Sequence, residues 1–507
     1  MRTLKSFLLV TFLVTGICAI AQEKAMFIYK NDAIVKTIKL SQIDSITFTN
    51  VSSQEGCDIV HFFLDIYKDD QSSYTWRGDV QMQDIDQDPP LVKIDSKNGI
   101  ITYSLPILPG WFTPAKMNVF PAVIEVSEGA TIEPNWNVPQ DFSKDVVYTV
   151  TGKNGAKKIW TVKAPKHYIK EKWNKNYTAF NPSGDQNPNS IAIIGNYLAV
   201  SRQLFLINKS DGTLASGELN TTGLADGNNN AAQPWPFFVT NDDAGNMLGG
   251  TLNAWNNNAF YVFKWKNATD NPELLMKFDT KDGAGTVTSG FGRKFQVIGD
   301  ANNKGLIIAS NIAGADVEVL KDQGEHYVWK ITNGVTDTNN PSKLKTNIRW
   351  DNNNYGYQLL TPLGTDVTGP YYVGTHTTTK DSAPFYPNLH FGNLGDMKSI
   401  NGPFELGTST ANGWGNQHWF YHKVFTFDSK NMIATFTGSA SDYCFALLER
   451  VGNEHVPVAT AKIGWVSGET PNGNGTGSMT MEKIGNDVFF YVFPTNKAII
   501  CYQLGKF

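Results

Sequence analysis

The chain has 507 residues, of which 41% are hydrophobic, 12% aromatic and only 18% charged. Domains usually span about 100–200 residues, so this length predicts either two or more domains or a large repeat fold. Abundant glycine (45 residues) and aromatic residues are typical of many short strands joined by polar turns. The formal net charge of −4, without a basic block, argues against nucleic acid and anionic lipid as partners.

The N-terminal residues predict a secretory signal peptide. Arg2 and Lys5 precede an apolar run at 7–17, and Ala19-Ile20-Ala21 fits the small-x-small cleavage rule. The apolar run is too short to span a membrane. We expect export with cleavage after Ala21, which takes the net charge to about −6. Lipidation of Cys18 is the alternative, disfavoured by the bulky residue before it.

Residues 22–50 predict a short β leader. Apolar residues on both sides of Asn31-Asp32 predict a hairpin, and residues 43–48 predict a further strand. This stretch resembles the leaders of many surface and periplasmic proteins of Bacteroidetes. The resemblance implies an exported protein of that bacterial group and implies no activity.

Residues 57–167 predict a β-sandwich. Val146, Tyr148 and Val150 alternate with smaller or polar neighbours, and Asn154-Gly155 predicts a type I′ hairpin turn. The alternation resumes at 160–164.

Upstream, 130–134 and 141–143 read as extended and turn-like pieces. Their order resembles the immunoglobulin-like domains of gut Bacteroidetes, which implies a spacer or ligand-presenting module without catalysis. Pro165 and the polar residues 166–175 predict a linker.

The remaining residues show weak internal repetition. A strand, a polar turn and a second apolar strand occur at 237–248, 295–308 and 424–433. Periods near fifty residues, filled with short strands, predict a β-propeller of six or seven blades rather than a stacked β-helix. The likeness of 194–198 to 484–488 predicts a closed ring in which both ends of the domain complete one blade.

This region resembles uncharacterised propeller-like families that follow immunoglobulin-like modules in Bacteroidetes. The predicted fold is therefore all-β, with an N-terminal immunoglobulin-like sandwich and a C-terminal propeller. The predicted segments are a signal peptide at 1–21, the leader at 22–50, the sandwich at 57–167 and the propeller at 173–507.

The cysteines that remain after cleavage do not form a disulfide framework. Cys57, Cys444 and Cys501 are too few for so long a chain. Cys444 and Cys501 lie in apolar, strand-like runs, so they either pair or stay buried as thiols.

The sequence contains no nucleophile elbow, P-loop, dinucleotide fingerprint or HExxH motif. Glycoside hydrolysis needs two carboxyl groups about 5–9.5 Å apart. Asp300, Glu325, Asp396 and Asp428 are candidates, but no pattern selects a pair, and Asp is expected in polar turns. We therefore predict no catalytic residue.

The sequence predicts no metal site and no cofactor. His418 and His422 are about 13 Å apart if they lie on a strand, which is too far for one ion. Loops at Asp226–Asn230 and Asp351–Asn354 could offer oxygen ligands to calcium, although polar turns explain them equally. The pattern from Asn241 to Leu248 approximates the Asp-box turn of sialidases, a structural turn between blade strands.

The most suggestive pattern is a set of aromatic residues beside amides in predicted loops. Sugars stack their C–H faces on flat rings and bond to amide groups through their hydroxyls. Tryptophans that cap or separate blades are the alternative explanation. The predicted ligand-binding residues are Trp235, Trp255, Trp350, Tyr355 and Trp414.

These observations predict a non-catalytic, exported binding protein whose partner is a glycan or another cell-envelope component. The alternatives are a propeller glycoside hydrolase or polysaccharide lyase, and a protein-interaction scaffold of the cell envelope. The sequence predicts the periplasm or the cell exterior as its location.

Overall fold

A computed structural model describes residues 25–30, 33–39, 56–66, 76–77, 92–103, 107–108, 122–176, 188–202, 204–224, 236–253, 259–280, 290–311, 325–346, 359–376, 387–400, 419–438, 442–464, 477–495 and 497–507. These residues form strands and turns without a helix, which confirms the all-β prediction. In this part of the chain, no helix meets the length and apolarity required to cross a membrane. The chain divides into two compact units, Met1–Gly56 and Cys57–Phe507.

The first unit contains a β-hairpin. Strands β1 (Ala25–Lys30) and β2 (Ala33–Lys39) pair antiparallel. This pairing confirms the hairpin predicted around Asn31-Asp32. The signal peptide and the strand predicted at 43–48 lie outside the described residues.

The second unit begins with two small sheets that share one core. Their strand orders are β4-β3-β8 and β5-β6-β11-β10-β9. The strands of this region are β3 (Ile59–Ile66), β4 (Trp76–Arg77), β5 (Val92–Asp95), β6 (Ile100–Tyr103), β7 (Ile107–Leu108), β8 (Ala122–Val126), β9 (Thr131–Glu133), β10 (Val146–Thr151) and β11 (Lys157–Val162). Their shared core contains Ile59, Phe62, Ile101, Ile124, Phe142, Tyr148 and Trp160.

The hairpin of β10 and β11 is confirmed, but its turn type was predicted wrongly. Of the two turn residues only Gly155 has a positive φ, 79°. Its N–H donates to the Gly152 carbonyl at 2.9 Å, and the Gly152 N–H donates to the Ala156 carbonyl at 2.9 Å. This is a three-residue loop that ends in a left-handed glycine, which demands one positive φ where a type I′ turn demands two.

The predicted linker at 166–175 is wrong, because strand β12 spans His167–Asn176. It pairs antiparallel with the last strand of the chain and parallel with β7. Tyr168 and Ile169 are buried, whereas the lysines of the strand stay half-buried or exposed. The polar composition indicated a linker because this strand buries only a few of its side chains.

Six sheets follow one another from β12 to the C-terminus of the described chain. Sheet 1 contains β13 (Ile191–Ile194), β14 (Tyr197–Val200), β15 (Phe205–Asn208) and β16 (Leu214–Glu218). Sheet 2 contains β17 (Phe238–Asn241), β18 (Met247–Gly250), β19 (Phe260–Trp265) and β20 (Glu273–Phe278). Sheet 3 contains β21 (Phe295–Gly299), β22 (Lys304–Ser310), β23 (Glu325–Thr332), β24 (Val335–Thr336) and β25 (Ser342–Lys345).

The other three sheets repeat this antiparallel order. Sheet 4 contains β26 (Leu359–Pro362), β27 (Tyr371–His376), β28 (Pro387–Asn393) and β29 (Asp396–Ser399). Sheet 5 contains β30 (Trp419–Phe427), β31 (Lys430–Gly438), β32 (Asp442–Val451) and β33 (Glu454–Gly464). Sheet 6 contains β34 (Gly477–Ile484), β35 (Asp487–Pro494) and β36 (Ala498–Lys506), and is completed by β12 and β7.

The first strands of the six sheets contact one another in cyclic order. Strand β13 contacts β17, and the contacts continue through β21, β26, β30 and β34 back to β13. Sheet 6 therefore lies beside sheet 1, and its strands come from both ends of this region. The repeats predicted at 237–248, 295–308 and 424–433 lie on the first two strands of sheets 2, 3 and 5.

Aromatic side chains fill the space between neighbouring sheets. Phe260, Phe278, Phe291, Tyr327 and Trp329 pack between sheets 2 and 3, with ring centroids 4.9 to 6.0 Å apart. Such edge-to-face and tilted contacts stabilise a core beyond its buried area. A similar position is taken by Trp265, which is 1% exposed.

The cysteines of the described residues, Cys57, Cys444 and Cys501, are buried as thiols. Cys444 lies on β32 in sheet 5 and Cys501 on β36 in sheet 6, without a disulfide bond between them. Burial raises the pKa of the Cys501 thiol above its usual range.

Truncation of Ile169 on β12 is expected to destabilise the protein. Ile169 is 3% exposed and packs in the core shared by sheets 2 to 6. Ile169→Ala removes a buried side chain, so the free energy of unfolding in urea should fall by about 2–5 kcal/mol. The exposed Lys172 on the same strand is the control. Equal, small effects of Ile169→Ala and Lys172→Ala would contradict the placement of β12.

Candidate functional site

Hydrogen bonds between the first strands show that these strands run in the same direction. The Val239 N–H donates to Ser190 Oγ at 2.7 Å, and the Ile193 N–H donates to Asn241 Oδ1 at 2.7 Å. Residue numbers therefore ascend together along β13 and β17. The same order holds for the contacts Ile191–Ser478, Asn241–Thr480, Thr240–Tyr421, Asn241–Lys423, Phe238–Phe295, Asp243–Gly299, Gln296–Thr361 and Gly299–Thr365.

This common direction gives the six sheets two distinct ends. We call the end where the first strands begin the leading end, and the end where they turn into the second strands the turn end. Because each sheet alternates its strand direction, the second strands end and the third strands begin at the leading end.

Asn241 forms a buried polar hub between first strands. Its side-chain Nδ2 donates to the Ile193 carbonyl at 2.8 Å, while Oδ1 accepts from the Ile193 N–H and from Thr480 Oγ1 at 2.8 Å. Its backbone carbonyl accepts from Lys423 Nζ at 2.8 Å. Asn241 is 4% exposed, and it connects sheet 2 with sheets 1, 5 and 6. Nearby, Thr240 Oγ1 and Tyr421 Oη lie 2.9 Å apart.

Three basic side chains are buried on or beside the first strands of sheets 3 and 5. Lys294 precedes β21, and His422 and Lys423 lie on β30; they are 0%, 0% and 5% exposed. Burial, followed by the charges of Lys294 and Lys423, lowers the pKa of His422 from 6.5 to about 3. Burial also holds the pKa of Lys294 well below its usual value. His422 is therefore a neutral imidazole at ordinary pH.

The turn after β17 differs from the predicted Asp box. The buried residue that organises it is Asp242, whose Oδ1 accepts the Asn246 N–H at 2.8 Å. Its Oδ2 accepts the Ala301 N–H of sheet 3 at 2.7 Å. Burial raises the pKa of this carboxyl. Asp243 Oδ2 accepts the Gly299 N–H at 2.7 Å, so both acids bind neighbouring backbone and join two sheets.

Two of the four candidate carboxylates lie at opposite ends of one sheet, and the other two belong to different sheets. Asp300 lies at the turn end of sheet 3 and Glu325 at its leading end, separated by the length of β22. Asp396 is the first residue of β29 in sheet 4, and its carboxylate accepts a hydrogen bond from Lys398 Nζ. Asp428 belongs to sheet 5, where Lys506 and then His167 lower the pKa of its carboxyl to about 2.

The candidate metal ligands are only partly described. His422 lies on a strand, as predicted, with its ring 6.0 Å from that of Tyr372. His418 and the loops at Asp226–Asn230 and Asp351–Asn354 lie outside the described residues. No group of three or more His, Cys, Asp or Glu side chains suited to a metal ion occurs in the described part.

All five predicted ligand-binding residues also lie outside the described residues: Trp235, Trp255, Trp350, Tyr355 and Trp414. The strands on either side of them are described. These are β16 and β17, β18 and β19, β25 and β26, and β29 and β30. In each pair, the first strand ends and the second strand begins at the leading end. The pairing of Phe238 with Gly250 shows this for β17 and β18, and the pairing of Glu325 with Lys345 shows it for β25.

Two features of the described residues were not predicted from the sequence. The hub role of Asn241 depends on sheets that meet in space, and no local pattern indicates it. The sandwich loop Asn135-Trp136-Asn137 has an aromatic residue between amides, and its Trp136 is 39% exposed. The pattern that selected the predicted binding loops would have found this loop as well.

A family model matches part of the chain. Residues 89–164 match the model "SGBP, N-terminal", which describes a glycan-binding family. The match lies within the sandwich region, between β5 and β11. No curated protein matches the chain.

Solved structures resemble the chain only distantly. A DUF4623 family protein from Bacteroides eggerthii DSM 20697 is 16% identical with a TM-score of 0.44, covering 81% of this chain and 93% of that chain. A Bacteroides fragilis NCTC 9343 protein described as secreted is 32% identical with a TM-score of 0.12, covering 14% of this chain and 66% of that chain. An α-L-arabinanase from Penicillium chrysogenum, complexed with arabinobiose, is 9% identical with a TM-score of 0.33, covering 71% and 90%. At these TM-scores the likenesses assign neither a fold nor an activity.

Replacement of Asn241 is expected to weaken the contact between sheets. Asn241→Ala leaves the buried N–H and carbonyl of Ile193 without their side-chain partner, and each such group costs about 1–3 kcal/mol. Urea unfolding should therefore show a loss of about 3 kcal/mol. The exposed Asn196, in the turn after β13, is the matched control. A loss for Asn241→Ala no greater than for Asn196→Ala would contradict the hub.

Acid is expected to destabilise the protein through His422. The unfolded chain binds a proton at this residue below about pH 6.5, whereas the native state binds it only near pH 3. Stability should therefore fall by about 1.4 kcal/mol per pH unit between these values. Urea unfolding of wild type and His422→Gln at pH 7 and pH 5 tests this. The wild type should lose about 2 kcal/mol more than the variant, and equal losses would contradict the assignment.

Proposed function

We propose that this is an exported, non-catalytic protein that binds glycans. The observation that carries the proposal is the match of residues 89–164 to a glycan-binding family. The described strands of the matched region share a core that contains Trp160. We further propose that this sandwich is immunoglobulin-like and forms a domain of its own, at 57–167.

We propose that sheets 1 to 6 are the blades of a six-bladed propeller at 173–507. The cyclic contacts of the first strands and their common direction support this arrangement. Completion of sheet 6 by β12 supports ring closure, because it joins the start of the region to its end. A closed ring removes exposed sheet edges, which protects an exported β-protein from aggregation.

The proposed glycan-binding face is the leading end. Trp235, Trp255, Trp350, Tyr355 and Trp414 all lie in segments whose flanking strands terminate there. Aromatic side chains with neighbouring amides in the sequence match the chemistry of a sugar, which has apolar C–H faces and polar hydroxyls. Trp265 and Trp329 lie in the strands themselves and pack between sheets, so they are not part of this proposal.

A glycan array with the mature protein tests the proposed face. Trp255→Ala, Trp350→Ala and Trp414→Ala should each weaken binding up to about tenfold, because a ring contact contributes about 0.5–1.5 kcal/mol. Leu274→Ala, an exposed change on sheet 2, should leave binding unchanged. Unchanged binding in all three tryptophan variants would contradict the site.

Further measurements separate this proposal from the hydrolase or lyase and from the scaffold. Release of new reducing ends or unsaturated sugars from a bound glycan would favour the hydrolase or lyase. Absence of binding to every glycan, with capture of a purified envelope protein, would favour the scaffold. Fractionation of the producing cell distinguishes the periplasm from the cell exterior, which the proposal leaves open.

A further inference from the structure

The loop after β9 exposes two apolar side chains that are two residues apart in the sequence. Trp136 is 39% exposed and Val138 is 47% exposed, and every residue from Asn135 to Pro139 lies at the surface. Single exposed apolar residues are common on proteins. An exposed tryptophan between Asn135 and Asn137 is a less ordinary surface, because it combines a flat apolar ring with amide donors and acceptors.

Hydrogen bonds hold this loop in one conformation. The Val138 N–H donates to the Asn135 carbonyl at 3.0 Å, and the Asn137 N–H donates to Asn135 Oδ1 at 3.3 Å. Gln140 Nε2 donates to the Val138 carbonyl at 3.2 Å. Two residues further on, Phe142 is 0% exposed and anchors the loop in the sandwich core. An ordered loop loses little conformational entropy when a ligand binds.

The sandwich core does not need Trp136. Phe142 and Trp160 already fill it, each 0% exposed, and Trp160 Nε1 donates to the Cys57 carbonyl at 3.0 Å. A further exposed apolar residue lies on the neighbouring strand. Glu133 pairs with Thr149, so Val147, two residues before Thr149, lies beside the start of the loop and is 52% exposed.

We infer that the loop at 134–140 is a second glycan-contact site, separate from the leading end, with Trp136 as its stacking platform. Asn135, Asn137 and Gln140 supply neutral amides, so the fitting ligand is a neutral pyranose chain with an apolar face. The ligand class rests on the proposed function. Two contact sites on one chain also raise the apparent affinity for a long polysaccharide, because the second binding event becomes intramolecular once the first has formed.

The test uses the full mature protein and four neutral polysaccharides built of pyranose rings, namely xyloglucan, mixed-linkage β-glucan, galactomannan and laminarin, with polygalacturonate as the acidic contrast. Dissociation constants are measured for wild type, Trp136→Ala, Trp255→Ala, Trp350→Ala, Trp414→Ala and Ile159→Ala. Ile159 is 66% exposed on the same sandwich and serves as the matched control. In parallel, oxidation of Trp136 by N-bromosuccinimide is followed by peptide mass spectrometry with and without the best-bound polysaccharide.

Trp136→Ala should weaken binding about fivefold and leave the thermal midpoint unchanged, and the bound polysaccharide should protect Trp136 from oxidation. If Trp136→Ala weakens binding while the leading-end variants do not, the inference holds and the proposed face is wrong. If only the leading-end variants weaken binding, and Trp136 is oxidised to the same extent with and without the polysaccharide, the inference is overturned and the proposed function stands. Binding of polygalacturonate alone overturns the neutral-glycan inference, and binding of none of the five overturns the inference as well.

Discussion

The pairing of β12 with β36 is the constraint on which the rest of the structure depends. It places the strand that follows the sandwich in the same sheet as the last strand of the chain. β12 also pairs with β7, so this sheet includes a piece of the sandwich region as well. Tyr168 packs into the sandwich core and its neighbour Ile169 into the core of the later sheets. One strand thus couples the two regions within the second unit.

The buried polar contacts along the first strands complement this closure. An amide such as that of Asn241 is costly to bury unless its hydrogen bonds are made, and here the bonds reach three other sheets. These bonds favour one register and one direction for the first strands. The common direction in turn separates the leading end from the turn end, where Asp242 and Asp243 join sheets through backbone contacts. Polar residues at the centre therefore determine which connecting segments share an end.

The sequence predicted those features that depend on local patterns. Alternation and turn residues predicted the short strands, the hairpin of β10 and β11, and the repeated strand–turn–strand units, and the structure confirms them. The sequence-based prediction was wrong or incomplete where the structure depends on a partner distant in the sequence. The polar composition of 166–175 is typical of a linker, but pairing with β36 makes this segment a strand. Asn241 is typical of a turn in the sequence, but in the structure it bonds to three other sheets. Trp136 fits the aromatic–amide pattern, but it lies in a region whose resemblance implied a spacer or ligand-presenting module, and the search for binding residues covered the predicted propeller loops.

Hydrogen exchange followed by mass spectrometry tests the closure by β12 most directly. If β12 completes sheet 6, amides of peptides within 167–176 should exchange as slowly as those of β35 and β36, because breaking this pairing requires the sheet to open. Protection should also be lost together in these three segments as urea is raised. Exchange of 167–176 within seconds, as expected of a linker, while β35 and β36 stay protected, would contradict the account.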